Sequence, residues 1–230
     1  MSPGPPAMSL LSTLRKPEPS RYQRWLFLGA MFALLGLRAL FYWQVGAAAD
    51  WTPRLDLGPV VLHFRSDYAD RMMLFSILSF GLLLAIFYLW LLLLSIVNRG
   101  VSDRDPWQKV VRLHLGRVER WPVVVKLLLP AFAAGLLWLA LSAALGRQGL
   151  LPPPKSVGHS AQQAAVIGLA AYLAWKYLVV GVLLLHFLNN HIYLGNSSLW
   201  AFVNMTARQL AAPLSWLLTF PHIVFGWVTH

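Results

Sequence analysis

The stretch Met72–Val97, MMLFSILSFGLLLAIFYLWLLLLSIV, constrains this chain more than any other, because it holds no charged residue and no proline. As a helix rising 1.5 Å per residue it would be roughly 39 Å long, against a hydrocarbon core of about 30 Å. A helix that is apolar on every side needs the interior of a large protein or a bilayer around it, and a chain of 230 residues does not supply the first. The stretch is therefore predicted to span a membrane. Composition agrees: 12% of the residues are charged, where soluble domains carry about 25%. There is no cysteine, which excludes disulfides, iron–sulfur clusters and thiolate metal sites.

Three further stretches have the same character. Trp25–Val45 is flanked by Trp25 and by Tyr42–Trp43, as aromatic belts flank a span. Its Arg38 lies four residues from Tyr42 and is expected to snorkel to the interface. Val123–Leu145 carries Lys126, which is given the same role, and Pro130, which should kink its first turns. Within it Ala131, Gly135 and Leu139 give a weak small-residue spacing for close helix packing. Ala161–Leu188 is the fourth span and stops at Asn189-Asn190-His191. Residues 1–24, proline-rich with Arg15, Lys16, Arg21 and Arg24, form a basic tail ahead of a single membrane domain, 25–230.

The connections carry the remaining pattern. Gly46–Arg71 is polar, and its Val60–Phe64 segment is either a short strand or a piece lying on the membrane surface. In the next loop Asp105-Pro106 before Trp107 is a helix start, with Asp105 as N-cap and Pro106 at the first position. Over about 106–121, Trp107, Val110, Val111, Leu115 and Val118 fall on one side. Lys109, Arg112, Gly116, Glu119 and Arg120 fall opposite. This is the pattern of an interfacial amphipathic helix, with Lys109, Arg112, Arg117 and Arg120 offered to anionic headgroups or to a partner. A second such helix is expected over about 199–217, with Trp200, Val203, Ala207, Leu210, Ala211 and Leu214 on one face. Asn196, Ser197 or Ser198 would cap it.

Lys and Arg number ten in the N-terminal tail and the Asn98–Pro122 loop together, against five in the alternate loops. That bias puts both termini and the long loop of a multi-pass membrane protein in the cytoplasm. The fold class is all-α, with four transmembrane helices and two interfacial amphipathic helices. Setting Trp107 on Trp200 superposes two units, each a span, a polar break and a Trp-initiated helix, which gives the expectation of a two-fold internal repeat.

The second unit resembles the motif of the YggT (YlmG) family of small membrane proteins. The resemblance is carried by Tyr193, Gly195 and Asn196, then Trp200, Phe202, Val203, Asn204, Thr206, Arg208 and Pro213. Ser215 stands where that family has a basic residue, and the family's Asp-containing tail is absent after residue 217. The resemblance implies a non-enzymatic accessory or scaffold protein tied to cell division, chromosome distribution or assembly of membrane complexes. It implies no catalytic residue and no cofactor. Its partners would be the bilayer, other membrane proteins or a second copy of itself, with no direct contact to nucleic acid.

Chemistry-bearing residues inside the spans are few. Lys176 lies near the middle of the fourth span without an Asp or Glu in any span to pair with, so it is an intramembrane functional candidate. His186 and His191 are five apart and do not have the spacing of a metal pair. Two other functions remain open at this stage: a structural subunit of an energy-converting membrane complex, and a small transporter or channel using Lys176.

Overall fold

A computed structural model describes residues 21–101, 105–152, 156–192 and 197–226, with the side chains of the last stretch as far as Ala212. Among the described residues, four helical stretches are long and apolar enough to cross a membrane: Trp25–Ala48, Ala69–Val97, Val123–Arg147 and Val157–Ile192. They fit a multi-pass membrane protein, as the apolar runs predict. Residues 1–20 of the expected tail lie outside the described residues, and its last four, 21–24, are helical and open the first helix instead. Contacts gather into two compact units, Met1–Trp51 with Arg65–Ile77, and Thr52–Phe64 with Leu78–His230.

In the first unit, helix α1 (Arg21–Ala48) meets the opening turns of helix α2 (Ala69–Val97). The Ser76 hydroxyl donates to the Leu35 carbonyl at 2.9 Å, and the Trp43 indole donates to the Asp67 carbonyl at 3.3 Å. The rings of Tyr42, Trp51 and Phe75 cluster with centroids 5.3–6.3 Å apart. Arg38 donates from Nε to the Tyr42 hydroxyl at 3.1 Å, so its charge does travel toward that end of the helix.

In the second unit, the Val60–Phe64 segment resolves as a strand. β1 (Arg54–Asp56) and β2 (Val61–His63) pair antiparallel, with Leu55 opposite Leu62. Leu55, Leu62 and Phe64 are buried while Arg54, Asp56, Val61 and His63 are exposed, the alternation of a half-covered hairpin. Asp56 accepts from the Gly58 amide at 2.7 Å and closes the turn. The tip sits against the end of helix α5 (Val157–Ala170), since a methyl on Gly58 would lie 3.4 Å from the Ala170 side chain.

The fourth span is not one helix. It breaks at Ala171–Tyr172 into α5 and α6 (Leu173–Ile192). No proline marks the break. Its amides instead take tight i−3 partners, Tyr172 on the Leu169 carbonyl at 3.2 Å and Trp175 on that of Tyr172 at 3.0 Å. Three side-chain hydrogen bonds to α2 and to Val123–Arg147 hold it. The Tyr172 hydroxyl donates to the Leu127 carbonyl, Trp90 donates to the Ala174 carbonyl at 2.8 Å, and Trp175 donates to the Leu89 carbonyl at 2.9 Å.

Helix α4 (Val123–Arg147) and α5 lie so close that their backbones touch. A Cβ on Gly135 would come 3.0 Å from the Ala164 carbonyl oxygen, and one on Gly168 would come 2.5 Å from that of Ala131. Ala131 and Gly135 thus face Ala164 and Gly168, two Ala-x-x-x-Gly pairs set head to tail. The spacing noted within α4 has its partner in α5, where the sequence offers the same pair.

Helix α3 (Pro106–Leu115) begins where predicted. Asp105 accepts from the amides of Trp107 at 2.8 Å and Gln108 at 3.1 Å. It ends sooner than predicted because Gly116 adopts φ +53°, and a 3-10 turn carries Gly116–Arg120. Helix α7 (Ser198–Gly226) instead runs past 217, through Pro213 and Pro221. Each proline removes a single amide donor, and the helix carries on through both.

Gly168→Ala should destabilise the fold. An alanine in an open helical site normally gains roughly 0.5–1 kcal/mol over glycine. Here the methyl overlaps a carbonyl, and overpacking costs about 1–3 kcal/mol. Thermal unfolding in detergent should show a lower Tm for Gly168→Ala and an equal or higher one for Gly181→Ala, whose Cβ meets nothing within 4 Å.

Candidate functional site

The apolar run of α2 ends in polar residues that turn inward. Ser95 and Asn98 are both fully buried, and each meets a polar partner from a later part of the chain. The Asn98 side-chain amide donates to the Thr206 hydroxyl of α7 at 3.0 Å. Ser95 donates to Glu119 of the 3-10 turn and accepts from the Lys126 ammonium of α4 at 2.7 Å. Lys126 also lies 3.4 Å from Glu119, and Arg112 of α3 lies 3.7 Å from the other oxygen of that carboxylate. Arg112 donates in addition to the Val101 carbonyl at 3.3 Å.

Lys126 is therefore not a snorkelling residue. It is 4% exposed, because α3 and the 3-10 turn fold over the start of α4 and bring a carboxylate to it. Removing an ammonium from water is tolerable only when a counter-charge and hydrogen-bond acceptors replace the lost solvent, which Glu119 and Ser95 do. The network holds two cations and one anion, so it keeps one positive charge.

The fold-back of α3 is apolar as well. Val111 and Leu115 pack on Leu91 and Leu92 of α2, with Val118 against the same cluster. Trp107 and Val110, predicted on the covered side, are exposed. Arg112, predicted on the outer face, is turned in. The reason is a rotation of the helix that brings Gln108 and Arg112 toward the protein beside Val111 and Leu115. Lys109, Arg117 and Arg120 are exposed as expected.

The motif residues of α7 do packing work. Val203 and Ala207 are buried against Val182 of α6, with Trp200 and Leu210 at the edge of that cluster. Phe202 and Thr206 are buried, and Arg208 is exposed. Asn204 meets the His186 ring at Nδ1, 2.8 Å, and Asn190 meets the same ring at Nε2, 3.2 Å. This fits a neutral imidazole that donates from Nδ1 and accepts at Nε2. His186 is thus a link between α6 and α7. Tyr193, Gly195 and Asn196 lie outside the described residues, as does the side chain of Pro213.

Lys176 is exposed on α6, with its ammonium 4.9 Å above the Tyr177 ring. Among the described residues no group of three His, Asp or Glu side chains could hold a metal ion. Outside the spans, the carboxylate of Asp67, hydrogen-bonded to Arg65 at 2.8 Å, raises that fully exposed guanidinium above its ordinary value without changing its charge. No protein-family model, no curated protein and no solved structure matches the chain.

Sequence reasoning missed Ser95, Asn98, Glu119 and Lys126 as a set. The available signal was Glu119, the one acid between Asp105 and the end of the third span.

Glu119→Gln and Lys126→Met should not be equivalent. Glu119→Gln leaves a buried ammonium with neutral acceptors and no counter-charge, and breaking a buried pair this way costs about 3–5 kcal/mol. Lys126→Met leaves Glu119 still facing Arg112 and Ser95 and should cost less. Denaturant titration of the two variants and the double variant checks this, with the double expected to be more stable than Glu119→Gln alone.

Proposed function

We propose that this chain is a non-enzymatic multi-pass membrane scaffold that docks partners at the cytoplasmic face of a bacterial inner membrane, with both termini inside. The observation that carries the reading is the division of labour among its polar groups. Ser95, Asn98, Glu119, Lys126, His186, Asn204 and Thr206 are engaged in holding helices to one another. Among the cations left outward, Lys109, Arg117 and Arg120 cluster on one fold-back segment. A site built for catalysis would leave an acid, base or nucleophile facing a cleft.

The YggT-type reading draws support from a shared plan. α3 folds back on α2 through Val111 and Leu115, and α7 folds back on α6 through Val203 and Ala207. Each pair is spaced i, i+4, and the pairs lie 92 residues apart. Placing Val111 on Val203 differs by one residue from the alignment of the two tryptophans. Both helices, being amphipathic, are taken to lie along the membrane surface.

The exposure of Lys176 supports a lipid-facing cation stabilised by its aromatic neighbour, and gives a transport path no support.

Affinity purification of the native protein in mild detergent should recover other membrane proteins or a second copy, without stoichiometric haem or flavin absorbance. Recovery of a fixed-stoichiometry, cofactor-bearing complex would replace this reading by that of a subunit of an energy-converting assembly. Lys176→Met should leave expression, unfolding temperature and the set of recovered partners unchanged.

A further inference from the structure

Helix α3 has two apolar sides, and one of them is free. Val111 and Leu115 are used against α2. On the far side Leu113 is 79% exposed and Val110 41%. Lys109 stands beside them, and Arg117 and Arg120 follow in the 3-10 turn, all exposed.

The buried network decides the sign of this surface. Between Asp105 and Lys126 the only carboxylates are Asp105 and Glu119. Asp105 accepts from two amides at the helix start, and Glu119 is drawn inward by Lys126, Ser95 and Arg112. With its acids occupied, the outward side presents cations alone, set around exposed aliphatic side chains.

Its position is fixed by the chain. α3 hangs between α2, which ends at Val97, and α4, which starts at Val123. Leu91 and Leu92 lie under it, and the His114 ring meets Phe87 at 5.9 Å. It therefore lies along the last three turns of a 29-residue helix. That helix is about 43 Å long, roughly 13 Å more than the hydrocarbon core. With that excess taken at the Val97 end, where Asn98 and Arg99 follow, α3 meets the zone where acyl chains give way to headgroups.

We propose that the outward side of α3 is a binding surface for anionic phospholipid, with Leu113 and Val110 in the acyl boundary and Lys109, Arg117 and Arg120 on the headgroup phosphates. This deepens the docking reading above by naming the occupant of that face, and rests on it only for α3 being a docking element. Each basic residue beside an anionic surface strengthens association roughly fivefold, so the three together are worth roughly a hundredfold.

The chain has no cysteine, so a single one introduced as Leu113→Cys takes a spin label cleanly. The full-length protein is placed in nanodiscs of phosphatidylcholine, with and without phosphatidylglycerol. Collision of the label with oxygen and with a water-soluble nickel chelate is then measured. The expected result is oxygen-dominated collision in phosphatidylglycerol discs, reversed by high salt and by adding Lys109→Gln, Arg117→Gln and Arg120→Gln together. Native mass spectrometry of wild type and that triple variant should show anionic lipid retained by the first and lost by the second. A label that meets the chelate equally in both bilayers overturns the proposal. So does a label shielded equally in both and in the triple variant, which would assign the face to another protein or to neutral lipid. A failed partner purification with an intact lipid response would sink the scaffold reading and leave this one standing.

Discussion

Glu119 is one carboxylate set against two cations in a place where water is largely shut out. Without it, the ammonium of Lys126 would sit in an apolar contact between helices with a single hydroxyl for company. The energetic demand of that charge fixes where the 3-10 turn must lie. The turn in turn fixes the rotation of α3, which segments of α3 are covered, and which of its cations face outward. Arg112 is recruited to the same carboxylate, so the segment is tied at its start by Asp105, in its middle by Arg112 and at its end by Glu119. The apolar pair Val111 and Leu115 supplies adhesion, and the charges supply orientation.

What lipid demands of a sequence was plain in this one. Four long apolar runs follow from the need to satisfy every backbone group within the segment, and their positions are legible without knowing any neighbour. The cap at Asp105 was legible for the same reason, since it involves amides two and three residues away. Lys126 was not. Its partners come from 31 and 7 residues earlier, and a lysine near a helix end reads identically whether it reaches out to headgroups or in to a carboxylate. The break at Ala171–Tyr172 was equally hidden, because it carries no proline and is held by hydroxyl and indole groups from elsewhere in the chain. The rotation of α3 defeated the simple helical wheel for a related reason: the wheel weighs hydrophobicity, and here an ion pair chose the face.

Close packing in this chain is a matter of absence as much as of contact. Between α4 and α5 the side chains are so small that carbonyl oxygens lie against the opposite main chain, a contact that lipid tails could not replace. Between α6 and α7 the contact is made by Val182, Val203 and Ala207 beside the Asn204–His186–Asn190 chain. The two interfaces solve one problem, how apolar helices recognise each other in an apolar solvent. One uses proximity of backbones and the other uses polar side chains as pins.

The paired indoles of Trp90 and Trp175 have a mechanical meaning. Each reaches across to the other helix and lands on main chain, at neighbouring positions 89–90 on one side and 174–175 on the other. Side-chain contacts could re-form after a small slip, but carbonyls recur at fixed intervals and these two bonds point in opposite senses. A shift of α6 along α2 by one residue rise would break both at once, so the pair behaves as a vernier that admits a single setting.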